Sequence, residues 1–280
     1  MKIHVLHTGF FKLDGGAMFG VVPKSIWNKL NPADENNLCT WAMRCLLIED
    51  ENRLILVDTG IGDKQDEKFY MHYYLSEIKT LQELLKEKGF TTEDITDVFL
   101  THLHFDHCGG AITRQGGQLF PAFPNATYWS NEKHWEWATI PNEREKASFL
   151  KENILPIRES GKLKFIATEE GIAFTPNIKV RFVNGHTGAM MLPQINYNGK
   201  TIVYMADLLP STGHIPLPYV MAYDMFPLTT LQEKKSFLEE ASANNYVLFF
   251  EHDPVNECCE LHVTERGIRS GKTFRLEGLS

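Results

Sequence analysis

The order of apolar and polar positions along the chain predicts an α/β protein. Residues 76–90 carry leucine and isoleucine at helical spacing and reach Gly89, which predicts an amphipathic helix with a glycine stop. Further helices are predicted at residues 131–138, 142–153 and 229–245. Short apolar or alternating runs predict strands at residues 2–9, 43–50, 53–60, 96–101, 126–130, 162–167, 178–184, 190–198, 201–207 and 246–253. Strand pairs mixed with helices in two runs predict a layered α/β sandwich.

Two of the predicted strand pairs are joined by short turns. Residues 50–52 form a polar connection, and Asn198-Gly199 is a strong hairpin signal. The chain shows no internal repeat, low-complexity tract or linker. We therefore expect residues 1–280 to form a single domain.

Composition narrows the class of protein. Of the 280 residues, 43% are hydrophobic and 23% are charged, which is ordinary for a soluble globular protein. The formal net charge of −8 argues against a nucleic-acid partner, and no apolar run approaches the length of a membrane span. The N-terminus lacks the apolar run of a signal peptide, and the five scattered cysteines suit reduced thiols, so we expect a cytoplasmic protein.

The stretch THLHFDH, residues 101–107, concentrates histidine and aspartate directly after a predicted strand. In extended backbone His102 and His104 point to the same side, so they can bind one metal ion together. Asp106 and His107 lie where the chain enters the next helix and can face a second ion. Neutral imidazole and carboxylate suit Zn²⁺, Fe²⁺ or Mn²⁺.

Three more candidate ligands each lie at the end of a predicted strand. They are His186, Asp207 and His252, and ligands at strand ends converge on one rim of a sheet. A capping or hydrogen-bonding role would be the better interpretation of any one of them alone, but the set of seven favours a metal site. Structural or solvated roles are expected for His4, His7, His72, His134 and His262, and a packing role for Cys108.

THLHFDH resembles the HxHxDH signature of the metallo-β-lactamase superfamily, and LVDTG at residues 56–60 resembles another motif of that family. The resemblance implies a four-layer αβ/βα sandwich with two divalent metal ions, zinc being the preferred one, and places Asp58 near the metals. It implies that one metal is held by His102, His104 and His186, the other by Asp106, His107 and His252, and that Asp207 bridges them.

Longer stretches resemble quorum-quenching N-acyl-homoserine lactonases, in a subgroup close to methyl-parathion hydrolases. They cover residues 13–27, 123–129, 134–157 and 205–227. Two positions depart from the best-known lactonases. Pro210 stands where those enzymes carry a tyrosine, and Met190 where a second histidine usually follows the family's motif Gly185-His186-Thr187.

The resemblance implies a dinuclear-metal hydrolase that opens the lactone ring of N-acyl-homoserine lactones by attack of a metal-bound hydroxide. Asp106 would accept the proton and return it. The alternative within enzymes is an arylesterase or organophosphate triesterase, and a metal-binding protein without turnover is the alternative outside them. Each of the two enzyme hypotheses implies that the partner is a small-molecule ester or lactone. Neither a nucleic acid nor a membrane is expected as a partner.

Three further residues are candidates for the substrate site. His214 could replace the missing tyrosine in substrate contact or proton transfer, with a local hydrogen bond as the alternative. Met18 and Phe19 lie in the glycine-rich segment DGGAMFG, whose composition predicts an exposed loop. We expect these two residues to line an apolar substrate pocket. Aromatic residues near 129–137 are consistent with a homodimer.

Overall fold

A computed structural model describes residues 1–279. The strands are β1 (Lys2–Asp14), β2 (Leu38–Asp50), β3 (Arg53–Val57), β4 (Asp97–Phe99), β5 (Ile112–Gln115), β6 (Gln118–Pro121), β7 (Thr127–Ser130), β8 (Leu163–Phe165), β9 (Ile172–Thr175), β10 (Ile178–Val183), β11 (Met190–Tyr197), β12 (Lys200–Tyr204), β13 (Val247–Phe249), β14 (Cys258–Thr264) and β15 (Gly267–Phe274). The helices are α1 (Gly15–Phe19), α2 (Lys24–Trp27), α3 (Glu67–Tyr70), α4 (Leu81–Glu87), α5 (Phe105–Cys108), α6 (Glu132–Thr139), α7 (Lys151–Glu159) and α8 (Pro227–Ala243).

Contacts group the chain into two units. The first comprises residues 1–9 and 43–169, and the second residues 10–42 and 170–280. Two of the crossings fall inside strands β1 and β2, so no linker sequence marks the division. The single domain expected over residues 1–280 stays a prediction, as do the homodimer and the cytoplasmic location.

The first unit is built on a mixed sheet with the strand order β1-β2-β3-β4-β7-β8. Strands β3, β4 and β7 run parallel, with Val57 opposite Phe99 and Phe99 opposite Trp129. Such strands are covered on both faces, which explains their nearly continuous apolar sequence. Because parallel strands end at the same edge, the residues that follow β3 and β4 are brought together there.

The second unit has a seven-stranded sheet in the order β15-β14-β13-β12-β11-β10-β9. Strand β12 pairs with β13 in parallel and with β11 antiparallel, and β11 pairs with β10 antiparallel. Strands β10, β12 and β13 therefore point in the same direction. Their carboxyl ends share one edge of the sheet.

Most predicted elements are confirmed, with specific exceptions. The Asn198-Gly199 hairpin joins β11 and β12, and both residues have positive φ, as a tight two-residue turn requires. The helix predicted at 142–153 is wrong at its start, because the Asn142 side chain caps the backbone of Arg144 and Glu145 in a turn and α7 begins at Lys151. Strands β5, β6, β9, β14 and β15 were missed, since their short or mixed polar sequences lack an apolar run. No helix among residues 1–279 is long and apolar enough to cross a bilayer.

Candidate metal-binding side chains

The first group of candidate ligands lies on one loop of the first unit. Strand β4 ends at Phe99, and residues 100–104 lead into the one-turn helix α5. His102 and His104 are buried, and His102 Nε2 lies 3.0 Å from His104 Nδ1. The two rings face the same point, as expected for side chains two residues apart in extended backbone.

Hydrogen bonds to other groups fix the tautomers of these two rings. The Thr101 hydroxyl donates to Asp58 Oδ2 at 2.7 Å, so it accepts from His102 Nδ1 at 3.1 Å. His104 Nε2 donates to the Glu145 carboxylate at 3.0 Å. The facing nitrogens, His102 Nε2 and His104 Nδ1, therefore both present lone pairs. Lone pairs at this distance repel unless a cation binds to them, which is the arrangement of a metal site.

Glu145 is a functional candidate that the sequence did not reveal. Besides His104, its carboxylate accepts from Trp137 Nε1 at 2.6 Å and from Asn142 Nδ2 at 3.2 Å. A buried carboxylate in this position orients the metal-binding histidine and makes it more basic. In the sequence Glu145 lies in the charged run NEREK, which is typical of a solvated turn, so no local signal marks it.

His134 fixes the backbone of the same loop. Its Nε2 accepts from the backbone N–H of Leu103, between the two candidate ligands, at 2.9 Å. The structural role predicted for His134 is confirmed, and it consists of holding the loop. Cys108 likewise packs locally, since its thiol donates to the Leu103 carbonyl and burial raises its pKa to about 12. A thiol with that pKa stays protonated and is a poor metal ligand.

Helix α5 carries the second pair of candidates, Asp106 and His107. His107 Nδ1 donates to Asp58 Oδ2 at 3.1 Å, so its Nε2 presents a lone pair 3.8 Å from Asp106 Oδ2. Asp58 also accepts from the Thr101 backbone N–H at 2.8 Å, and it has a positive φ of 56°. This strained backbone directly after β3 turns the Asp58 carboxylate onto both the loop and His107.

The second group of candidates lies at one sheet edge of the second unit. His186 follows β10, Asp207 follows β12 and His252 follows β13, and all three are buried. Because these strands share a direction, the three side chains meet. Asp207 Oδ2 lies 3.1 Å from His186 Nε2, and Asp207 Oδ1 lies 3.3 Å from His252 Nε2.

Both histidines of this group are oriented through their other nitrogen. His186 Nδ1 donates to Asp224 Oδ1 at 2.9 Å, and His252 Nδ1 donates to the Ala42 carbonyl at 2.7 Å. In their neutral forms both rings therefore present an Nε2 lone pair to one oxygen each of Asp207. A carboxylate placed between two such lone pairs requires positive charge on both sides.

The raised pKa of His186 also indicates that a positive charge is favoured between Asp207 and Asp224. Burial alone would lower this pKa, but Asp207 and Asp224 outweigh burial and raise it to about 10. A proton on Nε2 and a metal ion at Nε2 are alternative ways to balance the two carboxylates. The donor set of imidazoles and carboxylates in both groups fits divalent metals such as zinc.

Helix α8 fixes the turn that carries His186. The Glu233 carboxylate accepts from the backbone N–H groups of Asn184 at 2.7 Å and of Gly185 at 3.0 Å. A Cβ atom on Gly185 would lie 2.3 Å from the backbone nitrogen of Thr230, so only glycine fits here. The sequence motif identified Gly185, whereas Glu233 and Asp224 were missed because they lie far along the chain.

The prediction of an exposed loop at DGGAMFG is wrong. Residues 15–19 form helix α1, capped by the Asp14 side chain, and Met18 and Phe19 are 2% and 0% exposed. The Phe19 ring stacks on Trp27 at 5.5 Å and on His214 at 4.5 Å. Gly15 thus serves packing, since a Cβ there would meet the Trp27 ring at 2.4 Å. A role of Met18 and Phe19 in lining a substrate pocket stays a prediction.

His214 has protein partners at both ring nitrogens. Its Nε2 donates to the Met18 carbonyl at 3.0 Å, and its Nδ1 accepts from the Ser211 hydroxyl at 2.9 Å. Burial lowers the pKa of His214 to about 3. These contacts favour the local hydrogen-bonding role over the predicted proton transfer, because the ring is neutral near pH 7 and both of its nitrogens are already engaged by protein groups.

Comparison with known proteins identifies the family of the chain. Residues 44–252 match the family model of the metallo-beta-lactamase superfamily. An N-acyl homoserine lactonase of Bacillus cereus is 28% identical over 242 residues, covering 82% of this chain and 87% of that protein. The corresponding lactonase of Bacillus thuringiensis is 24% identical over the same shares.

Two solved structures extend the likeness over the whole chain. A probable metal-dependent hydrolase from Staphylococcus aureus has a TM-score of 0.89 and 30% identity, covering 100% of this chain and 98% of that one. AidC, a dizinc quorum-quenching lactonase, has a TM-score of 0.81 at 22% identity, covering 98% and 95%, and shows the fold. The expected metallo-β-lactamase fold is confirmed: this chain belongs to the metallo-beta-lactamase superfamily and is a metal-dependent hydrolase.

Proposed function

We propose that this hydrolase opens the lactone ring of N-acyl-homoserine lactones at a centre of two divalent metal ions. In this proposal the ligands of one ion are His102, His104 and His186, those of the other are Asp106, His107 and His252, and Asp207 binds both. Zinc is the metal proposed, because three or four imidazole and carboxylate ligands suit it and because the neighbour AidC is a dizinc enzyme.

The observation that carries the two-ion proposal is the environment of the Asp207 carboxylate. Each of its oxygens faces the Nε2 atom of a different histidine, His186 at 3.1 Å and His252 at 3.3 Å. Each histidine is oriented through Nδ1 by a separate acceptor. One carboxylate that serves two separate imidazoles is what a bridging ligand requires.

The support for a lactone substrate comes from the relatives. Proteins named N-acyl homoserine lactonases align over 82% of this chain, and the superfamily model spans residues 44–252, which include every proposed ligand. The net charge of −8 also suits a small neutral substrate better than a polyanion. The substrate class is therefore a small lactone or ester.

Two bound divalent ions would supply an activated water at neutral pH and polarise the lactone carbonyl. The protein contributes orientation and proton transfer. Asp58, Glu145 and Asp224 hold the candidate ligand histidines at fixed angles through charge-assisted hydrogen bonds. Asp106, whose Oδ2 faces His107, has a second oxygen, Oδ1, that can accept the water proton and return it to the leaving alkoxide of the opened ring.

Two sequence departures favour a second candidate, an arylesterase or organophosphate triesterase. Pro210 cannot donate the hydroxyl hydrogen bond that the tyrosine of well-known lactonases offers. Met190 begins strand β11 and is buried in the core, so it offers no second histidine. A hydrolase that lacks both groups has fewer contacts specific to a lactone, and the same activated water can attack phosphorus or an aryl ester.

The test is a substrate panel on purified protein of known metal content. A short-chain and a long-chain N-acyl-homoserine lactone are compared with a paraoxon-type triester and phenyl acetate, with proton release as the readout for lactone opening. We expect lactone opening that is abolished by chelation and by Asp207→Ala, while Asp63→Ala, the same change at an exposed aspartate, leaves the rate unchanged.

The outcomes separate the candidates. Lactones left intact while the triester or aryl ester is hydrolysed would replace the lactonase proposal by the second candidate. A protein that retains two firmly bound metals and hydrolyses none of the four compounds would contradict both.

A further inference from the structure

Helix α8 carries a lysine whose charged end is enclosed by protein. Lys234 is 1% exposed, although its neighbour Lys235 on the same helix is exposed. Its Nζ donates to the backbone carbonyls of His214 at 2.7 Å, Tyr219 at 2.7 Å, Pro216 at 3.2 Å and Leu217 at 3.3 Å. An ammonium has three protons, so the two more distant oxygens share one of them.

These four oxygens, termed the carbonyl ring, form an internal cation site. Carbonyl dipoles aimed at one point repel each other and require a positive charge at the centre, as in the carbonyl rings that bind ions in channels. Burial lowers the pKa of Lys234 to about 7, and the charge of Asp224 limits that shift. The ring itself favours the ammonium, because each carbonyl accepts only when the nitrogen donates.

The residues of the carbonyl ring also hold helix α1. The His214 side chain stacks on Phe19 at 4.5 Å and donates to the Met18 carbonyl, and the Tyr219 ring meets Phe19 edge-on at 6.4 Å. Lys234 thus fixes the main chain of the two residues whose side chains fix Phe19. Helix α1 also contacts the residues that follow Tyr219, because the Ala222 N–H donates to the Ala17 carbonyl at 2.8 Å.

We propose that Lys234 is a positioning residue whose ammonium is the built-in cation of the carbonyl ring. By holding residues 214–219 it keeps α1, with the buried Met18 and Phe19, in place, and we expect that position to determine how tightly the acyl chain of the substrate binds. The expected effect on acyl-chain binding rests on the proposed function. The role of Lys234 in the carbonyl ring rests only on contacts within the second unit.

The first test compares Lys234→Met with Lys235→Met. Lys234→Met keeps the apolar stem and removes the charge and all donors. We expect a lower melting temperature and a KM for a long-chain lactone raised by about tenfold, the scale of lost charge-assisted hydrogen bonds. The kcat and the metal content should change by less than about threefold, and Lys235→Met should behave like the unchanged protein.

The second test restores the cation by chemical rescue. Lys234→Ala lacks the atoms of propylammonium, so added propylammonium should raise its melting temperature and lower its KM. Tetramethylammonium at the same concentration has no N–H donor and should do neither. Lys235→Ala should be insensitive to both salts.

Two results would overturn the proposal. One is a Lys234→Met protein with the melting temperature and KM of Lys235→Met, a comparison that holds even if Lys234→Ala does not fold. The other is a rescue by propylammonium no larger than that by tetramethylammonium. If the unchanged protein proves inactive on lactones, the proposed function fails, and melting temperature with rescue still decides whether the carbonyl ring holds Lys234.

Discussion

The two units present their candidate ligands in different ways. In the first unit, four ligands lie within residues 102–107, on one loop and one helical turn after β4. In the second unit, His186, Asp207 and His252 come from three strands that are far apart in the chain and meet only because β10, β12 and β13 share a direction. Local backbone geometry brings the first group together, and we term it the local group. Sheet topology brings the second together, and we term it the topological group.

The difference extends to the groups that orient the ligands. In the first unit Asp58 and Glu145 reach the loop from either side of it in sequence, and His134 holds its middle. In the second unit Asp224 and the start of α8 hold the His186 turn. Both groups therefore depend on buried carboxylates, of which only Asp58 lies in a sequence motif that indicates its role.

The largest expected effect comes from removing one ligand from each unit. If both groups belong to one centre, His104→Ala and His252→Ala should each lower kcat/KM by more than about 100-fold, beyond the loss that orienting partners cause. Steady-state kinetics on protein of measured metal content gives the answer. A loss confined to one of the two variants would mean that the groups work separately.

Removing an orienting carboxylate from each unit should cost less. Glu145→Gln and Asp224→Asn keep the shape but weaken the hold on His104 and His186, so metal affinity or activity should fall by about 10–100-fold. Metal-competition titration measures the affinity. Equal losses would show that both units orient their ligands by the same means, and an unchanged affinity in either variant would contradict the orienting role there.

The turn that carries His186 should be sensitive to backbone change. Gly185→Ala places a Cβ against the Thr230 backbone and should lower the free energy of unfolding by about 1–3 kcal/mol, the usual cost of overpacking. Gly278→Ala meets nothing within 4 Å and is the matched control. Denaturant unfolding measures both variants, and equal stability of the two would contradict the close approach.

The smallest expected effect concerns pH and lies in the second unit. The pKa of His214 is about 3 in the fold against 6.5 for the free side chain, so the unfolded chain binds a proton there between these values. The free energy of unfolding should therefore fall as pH drops from about 6.5 toward 3. His214→Asn should flatten that slope by up to about 1.4 kcal/mol per pH unit relative to the exposed His262→Asn. Parallel slopes in the two variants would contradict the buried neutral ring.

The sequence predicts the local group well and the topological group only through its strand ends. The two-residue spacing of His102 and His104 predicts that their side chains face the same way. The apolar runs before His186, Asp207 and His252 place these three residues at one sheet edge. Glu145, Asp224, Glu233 and Lys234 could not be predicted, because each acts on a partner distant in the chain. Met18 and Phe19 were misplaced because Gly15 and Gly16 resemble a flexible loop, whereas Gly15 allows the close approach of Trp27.

The most direct test of the central claim, one centre built by both groups, is the metal content of the purified protein by elemental analysis. We expect two divalent ions per chain in the unchanged protein and fewer than two in Asp207→Ala, with Asp63→Ala unchanged. A protein that binds one ion or none under metal-replete conditions, or an Asp207→Ala protein that keeps both, would contradict it.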